Sequence, residues 1–230
     1  MTDWVTISAL ATAGGTLALA GATFAATQSA NRNARVAEVA LRQQLRPVLV
    51  QSQLDDPEQK IMFAGGHWVR VPGGGAVVEH EDGIVYLSMS LRNVGNGIAV
   101  LRGWHVWPDV EYRRAEPASP DSYRLQSRDL YVPASSFGLW QGALRDDSDE
   151  LHGVMRDIVS NPRIFLIDLL YTDHLGGQGS ITRFSIAPMQ ERRWLCSMVR
   201  YWDADSLSTG NHTNLKTGSG SSHLSSGGRT

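Results

Sequence analysis

The chain has 230 residues, a formal net charge of -2 and a single cysteine, Cys196. That length suits one well-buried domain with appendages. The charge excludes a global basic footprint for nucleic acid, and the lone cysteine excludes an intramolecular disulfide or a cysteine zinc cluster and points to a reducing compartment. The arginines of the folded region are scattered singly or in pairs and are not interleaved with aromatics, so no nucleic-acid partner is expected.

Between Asp3 and Arg32 no side chain carries charge. About 22 residues of helix rise about 33 Å, enough for a hydrocarbon core of about 30 Å. The insertion energy is modest: Val5, Ile7, Leu10, Leu17, Leu19 and Phe24 supply only roughly -3 kcal/mol. A secretory signal needs a basic leading segment, and only Asp3 precedes the run. A buried core helix is the alternative to a membrane anchor. Residues 4–28 are therefore expected to form a transmembrane helix. Arg32, Arg35, Arg42 and Arg46 all follow it, which places the N-terminus outside and the folded region in the cytoplasm. Gly14, Ala18, Ala22 and Ala26 make a stripe of small residues every four positions, the pattern that lets two copies of a helix dimerise.

Residues 29–46 read as a juxtamembrane helix stopped by Pro47, with Ala34, Ala37, Leu41 and Leu45 on one stripe. Alternation then replaces helical periodicity. Strands are expected at 48–54, 67–71, across AVVEH, and along IVYLSMSLRNV, where Val85, Leu87, Met89 and Leu91 face one way in a half-buried strand. The NVGNGIA segment, 93–99, is expected to turn on glycines with positive φ and to feed a strand ending at Trp107. A loop follows through Asp121, then strands in RDLYVP and SFGLWQGAL, a short helix in ELHGVMRDIVS ended by Asn161-Pro162, and strands in RIFLIDLLYT and SITRFSIAP. The apolar run 194–202 fits a strand or a short helix. Residues 204–230 are a Gly/Ser-rich tail too poor in apolar residues to order itself. The layout is a mainly β antiparallel sandwich over 47–203.

Candidate chemistry is sparse. In DLLYTDHLGGQG, Asp168 is expected to pair across strands with Arg183, on the diagonal. Asp173 and His174 sit side by side at a strand end, where they offer two metal ligands or an acid-base pair but not a complete site. Glu79, His80, Glu81 and Asp82 surround a hairpin turn of solvated charges. Trp68, Trp104, Trp107, Trp140, Trp194 and Trp202 serve either as buried packing or as a stacking platform for sugar or peptide. Gly95-Asn96-Gly97 precedes a strand and so is no dinucleotide loop, and no Walker lysine or Gly-x-Ser-x-Gly elbow occurs. Cys196 lies among apolar residues and is expected to be buried. No catalytic residue and no cofactor are assigned.

The strings RNVGNGIAVLRGWHVWP, SRDLYVPASSFGLWQGAL and IDLLYTDHLGGQGSITRF resemble a set of uncharacterised bacterial single-pass membrane proteins with an N-terminal helix, an arginine-proline boundary such as Arg46-Pro47, and a β-rich domain. The likeness covers roughly residues 4–203. The NVGNGIA turn also resembles the Asn-x-Gly turn of immunoglobulin-like bacterial modules. What these resemblances imply is layout alone. The reading is a β-sandwich at the cytoplasmic face of a bacterial inner membrane, acting on an unknown protein partner as an interaction or structural module. A membrane-tethered metal-assisted hydrolase, or an extracytoplasmic glycan binder if the orientation is reversed, are its rivals.

Overall fold

The computed structural model describes residues 4–109 and 116–205, with the backbone alone at 4–9, 11 and 191. The tail expected to be unstructured falls, from residue 206, outside the described residues. The chain divides into two compact units, Met1–Gln44 and Leu45–Thr230.

The first unit is one helix, α1 (Trp4–Gln44), so the two helices expected over 4–28 and 29–46 run together. Its end just before Pro47 follows from the steric bias of a pre-proline residue against helical backbone. Every described side chain of α1 is exposed, including Leu10, Leu17, Leu19 and Phe24 at between 69% and 74%. The hydroxyls of Thr16, Thr23 and Thr27 each donate, at 2.8 Å, to the carbonyl four residues back. Among the described residues no helix is long and apolar enough to cross a membrane. The expected transmembrane span is therefore not met there. Among the side chains described, Leu10 and 12–44, the leucines are diluted by Thr, Gly and Ala, and Gln28, Ser29 and Asn31 follow.

The second unit is mainly antiparallel β. Its strands are β1 (Leu49–Gln51), β2 (Gln59–Met62), β3 (Trp68–Val71), β4 (Gly75–Glu81), β5 (Ile84–Asn93), β6 (Ala99–Trp107), β7 (Arg124–Val132), β8 (Phe137–Leu144), β9 (Phe165–Thr172), β10 (Gly179–Pro188) and β11 (Trp194–Asp203), with α2 (Glu150–Ser160) between β8 and β9. Among the described residues nine strands make one sheet in the order β1-β5-β4-β11-β10-β9-β6-β7, with β8 also paired to β5; β2 and β3 form a separate hairpin. The expected sandwich is met only as far as its antiparallel β character, because a single sheet curls into a half-barrel. The cause lies in 194–202, which is a strand: β11 pairs with β10 along its length and joins β4 through Trp194↔Ala76 and Leu195↔Gly75, so two would-be layers become one ladder.

The core lies inside the curl, where Leu87, Met89, Leu91, Trp140, Met155, Ile158, Phe165, Phe184 and Ile186 are fully buried. β5 is buried on both faces rather than one, since Tyr86 on its outer side packs with Ile61, Phe63, Val69 and Val71 of the β2–β3 hairpin. α2 begins at Asp149, whose carboxylate accepts the Leu151 N–H at 3.0 Å. Tyr171, pushed up to about 12 by burial, takes the Leu49 N–H at 3.1 Å and meets the Thr182 hydroxyl at 2.9 Å, so one phenol ties β1 to the middle of the sheet.

The NVGNGIA turn works by close approach, not by positive φ, which neither Gly95 nor Gly97 adopts. A Cβ on Gly97 would lie 1.6 Å from the Leu45 carbonyl oxygen, and one on Gly95 would lie 2.3 Å from that of Arg46. The chain leaving α1 thus passes directly over the two glycines. Asn93, fully buried, holds this crossing with all its capacity: Oδ1 accepts from the Val48 and Gly95 N–H groups at 3.1 and 3.0 Å, and Nδ2 donates to the Gly97 and Val132 carbonyls at 2.7 and 3.1 Å. Truncation would strand two buried and two half-buried backbone groups. Asn93→Ala should therefore cost about 3 kcal/mol in urea unfolding, well beyond a surface substitution.

Among the described residues, carboxyls held below the ordinary range include Asp56 by the Arg92 guanidinium, Asp146 by the Ser148 hydroxyl and Asp157 by Arg163. A group whose pKa falls on folding contributes stability above its unfolded value, ~3.9, and loses it as pH drops through the folded value. The thermal midpoint should fall below about pH 4, and Asp56→Asn should make that fall smaller, as read by calorimetry across the acid range.

Candidate functional site

Following the pairings from β8 through β5, β4, β11, β10, β9 and β6 leads to β7, so β7 and β8 are the two ends of the curled sheet. They are also consecutive in the chain, joined by residues 133–136. Pairing them would close a barrel, yet no backbone hydrogen bond joins them among the described residues. Near the connection the Val132 methyls occupy the space beside Gly138, where a Cβ would meet them at 3.0 Å. Farther along, the strands are bridged by a side chain: the Gln126 amide donates to the Gln141 carbonyl at 2.9 Å.

Two features hold this seam open. Trp104 of β6 meets Trp140 of β8 edge to face, ring centroids 5.5 Å apart, and both indoles are buried. Gly142 makes room for them, since a Cβ there would sit 2.8 Å from Trp140 and 3.1 Å from Trp104. On β7 the pairing with β6 jumps from Leu101↔Leu130 to Gly103↔Leu125, which leaves 126–129 as a bulge.

The seam contains a cavity of about 450 Å³ lined by Trp104, by Arg124, Gln126 and Arg128 of β7, by Gln141 of β8, by Arg145 just beyond it, and by Met62, Phe63 and Ala64 at the tip of the β2–β3 hairpin. Arg124 pairs with Asp149 at 2.7 Å, its guanidinium 5.7 Å from the Trp104 ring. The other two arginines fasten the hairpin tip as a lip: Arg145 donates to the Ala64 carbonyl at 2.7 Å and Arg128 to that of Met62 at 3.4 Å. Neither has a carboxylate partner among the described residues. The side-chain oxygens of Gln126 and Gln141 are buried without a hydrogen-bond partner among the described residues, although Gln141 as a whole is only 7% exposed. The cavity therefore offers spare cationic donors, with two unsatisfied neutral acceptors buried in its wall.

Apart from Trp104, one of the six tryptophans noted as a possible platform, none of these residues stands out in the sequence as a site. Arg124 and Arg128 lie on β7 and Arg145 just past β8, and the sheet's failure to close is what gathers them. The one sequence signal was the pair of glycines flanking the tryptophan in FGLWQGAL, which marks crowding on that strand.

The residues singled out from sequence serve elsewhere. Asp173 is 5% exposed; its carboxylate accepts the Gly177 N–H at 2.7 Å and ties the β9–β10 loop, while His174 beside it is exposed. Among the described residues no three His, Cys, Asp or Glu side chains are placed to hold a metal ion. Glu79 and Glu81 are not merely solvated turn charges, because both reach His67, at 2.5 and 3.4 Å, and His67 stacks on Tyr86. Trp104, Trp140 and Trp194 are buried, so those three cannot form an exposed sugar platform. Cys196 is 1% exposed and burial pushes its thiol up, as its apolar neighbours implied.

Asp168 and Arg183 do pair, but directly opposite rather than on the diagonal. Arg183 grips both carboxylate oxygens, at 2.6 and 2.8 Å, and donates to the Glu116 carbonyl, while Asp168 also accepts from the Trp107 indole and the Ala118 N–H. The arginine plane lies 4.9 Å from the Trp202 ring and 5.5 Å from that of Trp107. The pair is buried because the 116–123 segment covers the outer face of β9 and β10 with Ala118 and Tyr123.

No protein-family model, curated protein or solved structure matches this chain. Breaking the buried pair should be costly: Arg183→Met is expected to lower unfolding stability by about 3–5 kcal/mol, and adding Asp168→Leu should restore part of it, as measured by a double-mutant cycle in urea.

Proposed function

We propose that this chain is a protein-interaction module whose half-barrel presents the β7–β8 seam to a partner protein at the cytoplasmic face of a bacterial membrane. The observation that carries this reading is the seam itself: two adjacent sheet edges without mutual backbone pairing, a cavity of about 450 Å³ between them, and side chains there with unused hydrogen-bonding capacity. Exposed edges normally invite pairing or are covered. Here the exposed Leu125 lines the opening. The membrane location rests on the charge-free run before Arg32, on the arginines that follow it, and on threonine hydroxyls satisfied within α1, which lowers the cost of desolvating it.

A photo-crosslinking residue at Leu125 should trap one discrete heavier species in the source cell, while the same residue at Leu175 on the β9–β10 loop should not; equal trapping at both, or none at Leu125, contradicts the reading. A C-terminal fluorescent fusion should be bright and an alkaline phosphatase fusion inactive, and full chain recovered from alkaline-washed membranes should be lost from them on Leu17→Asp with Leu19→Asp. Phosphatase activity at the C-terminus overturns the orientation.

A further inference from the structure

We infer that the seam cavity recognises an acidic peptide segment, with an Asp or Glu side chain of the partner seated between Arg128 and Arg145. The inference rests on the protein-interaction reading above and names the chemistry of the partner. Arg145 and Arg128 each spend one nitrogen on a carbonyl of the hairpin tip, and neither faces a carboxylate among the described residues. Fixing one nitrogen orients a guanidinium and leaves the remaining donors of its fork free. Planar donors in that state match a carboxylate. Arg124, by contrast, is neutralised by Asp149 and packs over Trp104, so it shapes the cavity more than it charges it.

A free inorganic anion explains only half of the site. Gln141 is more than nine-tenths buried, and its amide oxygen, like that of Gln126, has no hydrogen-bond partner among the described residues. An unsatisfied buried acceptor costs about 1–3 kcal/mol, so the occupant that suits the cavity must donate as well as accept. A peptide does both: a turn of the buried glutamine side chains into the cavity brings their oxygens to its backbone N–H groups, while its carboxylate meets the arginines. Its apolar neighbours find the exposed Leu125 and Met62. Size agrees, since about 450 Å³ accommodates one or two side chains with their backbone and not a folded surface.

The test uses the full-length protein and a randomised decapeptide display library with one central position fixed as Asp or Glu, against matched libraries fixed as Asn or Gln. Acid-fixed peptides should be enriched. Individual winners, measured by fluorescence anisotropy, should bind about tenfold or more weaker to the Arg128→Gln/Arg145→Gln variant and weaken with added salt, while Arg70→Gln on β3 changes nothing. Gln141→Leu should weaken binding while keeping the acid preference, which separates the acceptor's role from the charge. Equal enrichment of amide-fixed libraries, or unchanged affinity in the double arginine variant, overturns the inference. Complete displacement of a winning peptide by millimolar free glutamate or phosphate also overturns it, in favour of a small-anion site. If the double variant loses its thermal midpoint, Arg128→Lys/Arg145→Lys replaces it: retained charge without the planar fork should still weaken binding, and unchanged affinity overturns the proposal. Seam-specific crosslinking without acid preference leaves the interaction module standing and removes this inference alone.

Discussion

The edge-to-face contact between Trp104 and Trp140 sets the shape of everything around it. Such a pair contributes about 0.5–1.5 kcal/mol beyond the apolar area it buries, but its larger effect here is volume. Two indoles wedged between β6 and β8 need the space that Gly142 leaves, and they fill the interior where the sheet's two ends meet. With the four-residue bulge on β7, the last strands of the curl come side by side and do not share a ladder. An ordinary eight-stranded closure would have hidden both edges. This chain keeps them, lined with arginine and glutamine.

The remaining features position that seam. β11 joins the halves of the sheet, Tyr171 pins β1 to its centre, and Asn93 clamps the chain leaving α1 against the turn that launches β6. β6 in turn carries Trp104. The buried Asp168–Arg183 pair, sandwiched against Trp107 and Trp202, fastens the segment leading into β7 onto the outer face of β9 and β10. Charge inside the domain thus serves placement, while Arg128 and Arg145, without carboxylate partners among the described residues, stand at the cavity.

Local order was legible in the sequence as element positions. β5, β9 and β10 lie where strands were expected although both faces of each are largely buried, α2 begins and ends at its polar and proline signals, and the Asp168–Arg183 partnership followed from strand parity. Pairing across long separations was not legible. That β11 bridges β4 and β10 turns an expected sandwich into one curled sheet, and nothing in its own residues specifies the neighbour. The short β2 was passed over because four residues with Lys60 and Gln59 show little alternation, and its hairpin changed β5 from half-buried to buried. The glycines of NVGNGIA were read for φ when their need is contact with a chain segment some fifty positions earlier. The seam was the least legible of all, because it exists through the absence of a pairing.

Hydrogen–deuterium exchange of the free protein measures that absence most directly. If the seam is open, the amides of Gln126 to Arg128 exchange about tenfold or more faster than those of Ile167 and Leu169 in the middle of the sheet. Protection at 126–128 equal to that of β9 would mean that β7 and β8 pair and the barrel closes, and the account of the site would fail with it.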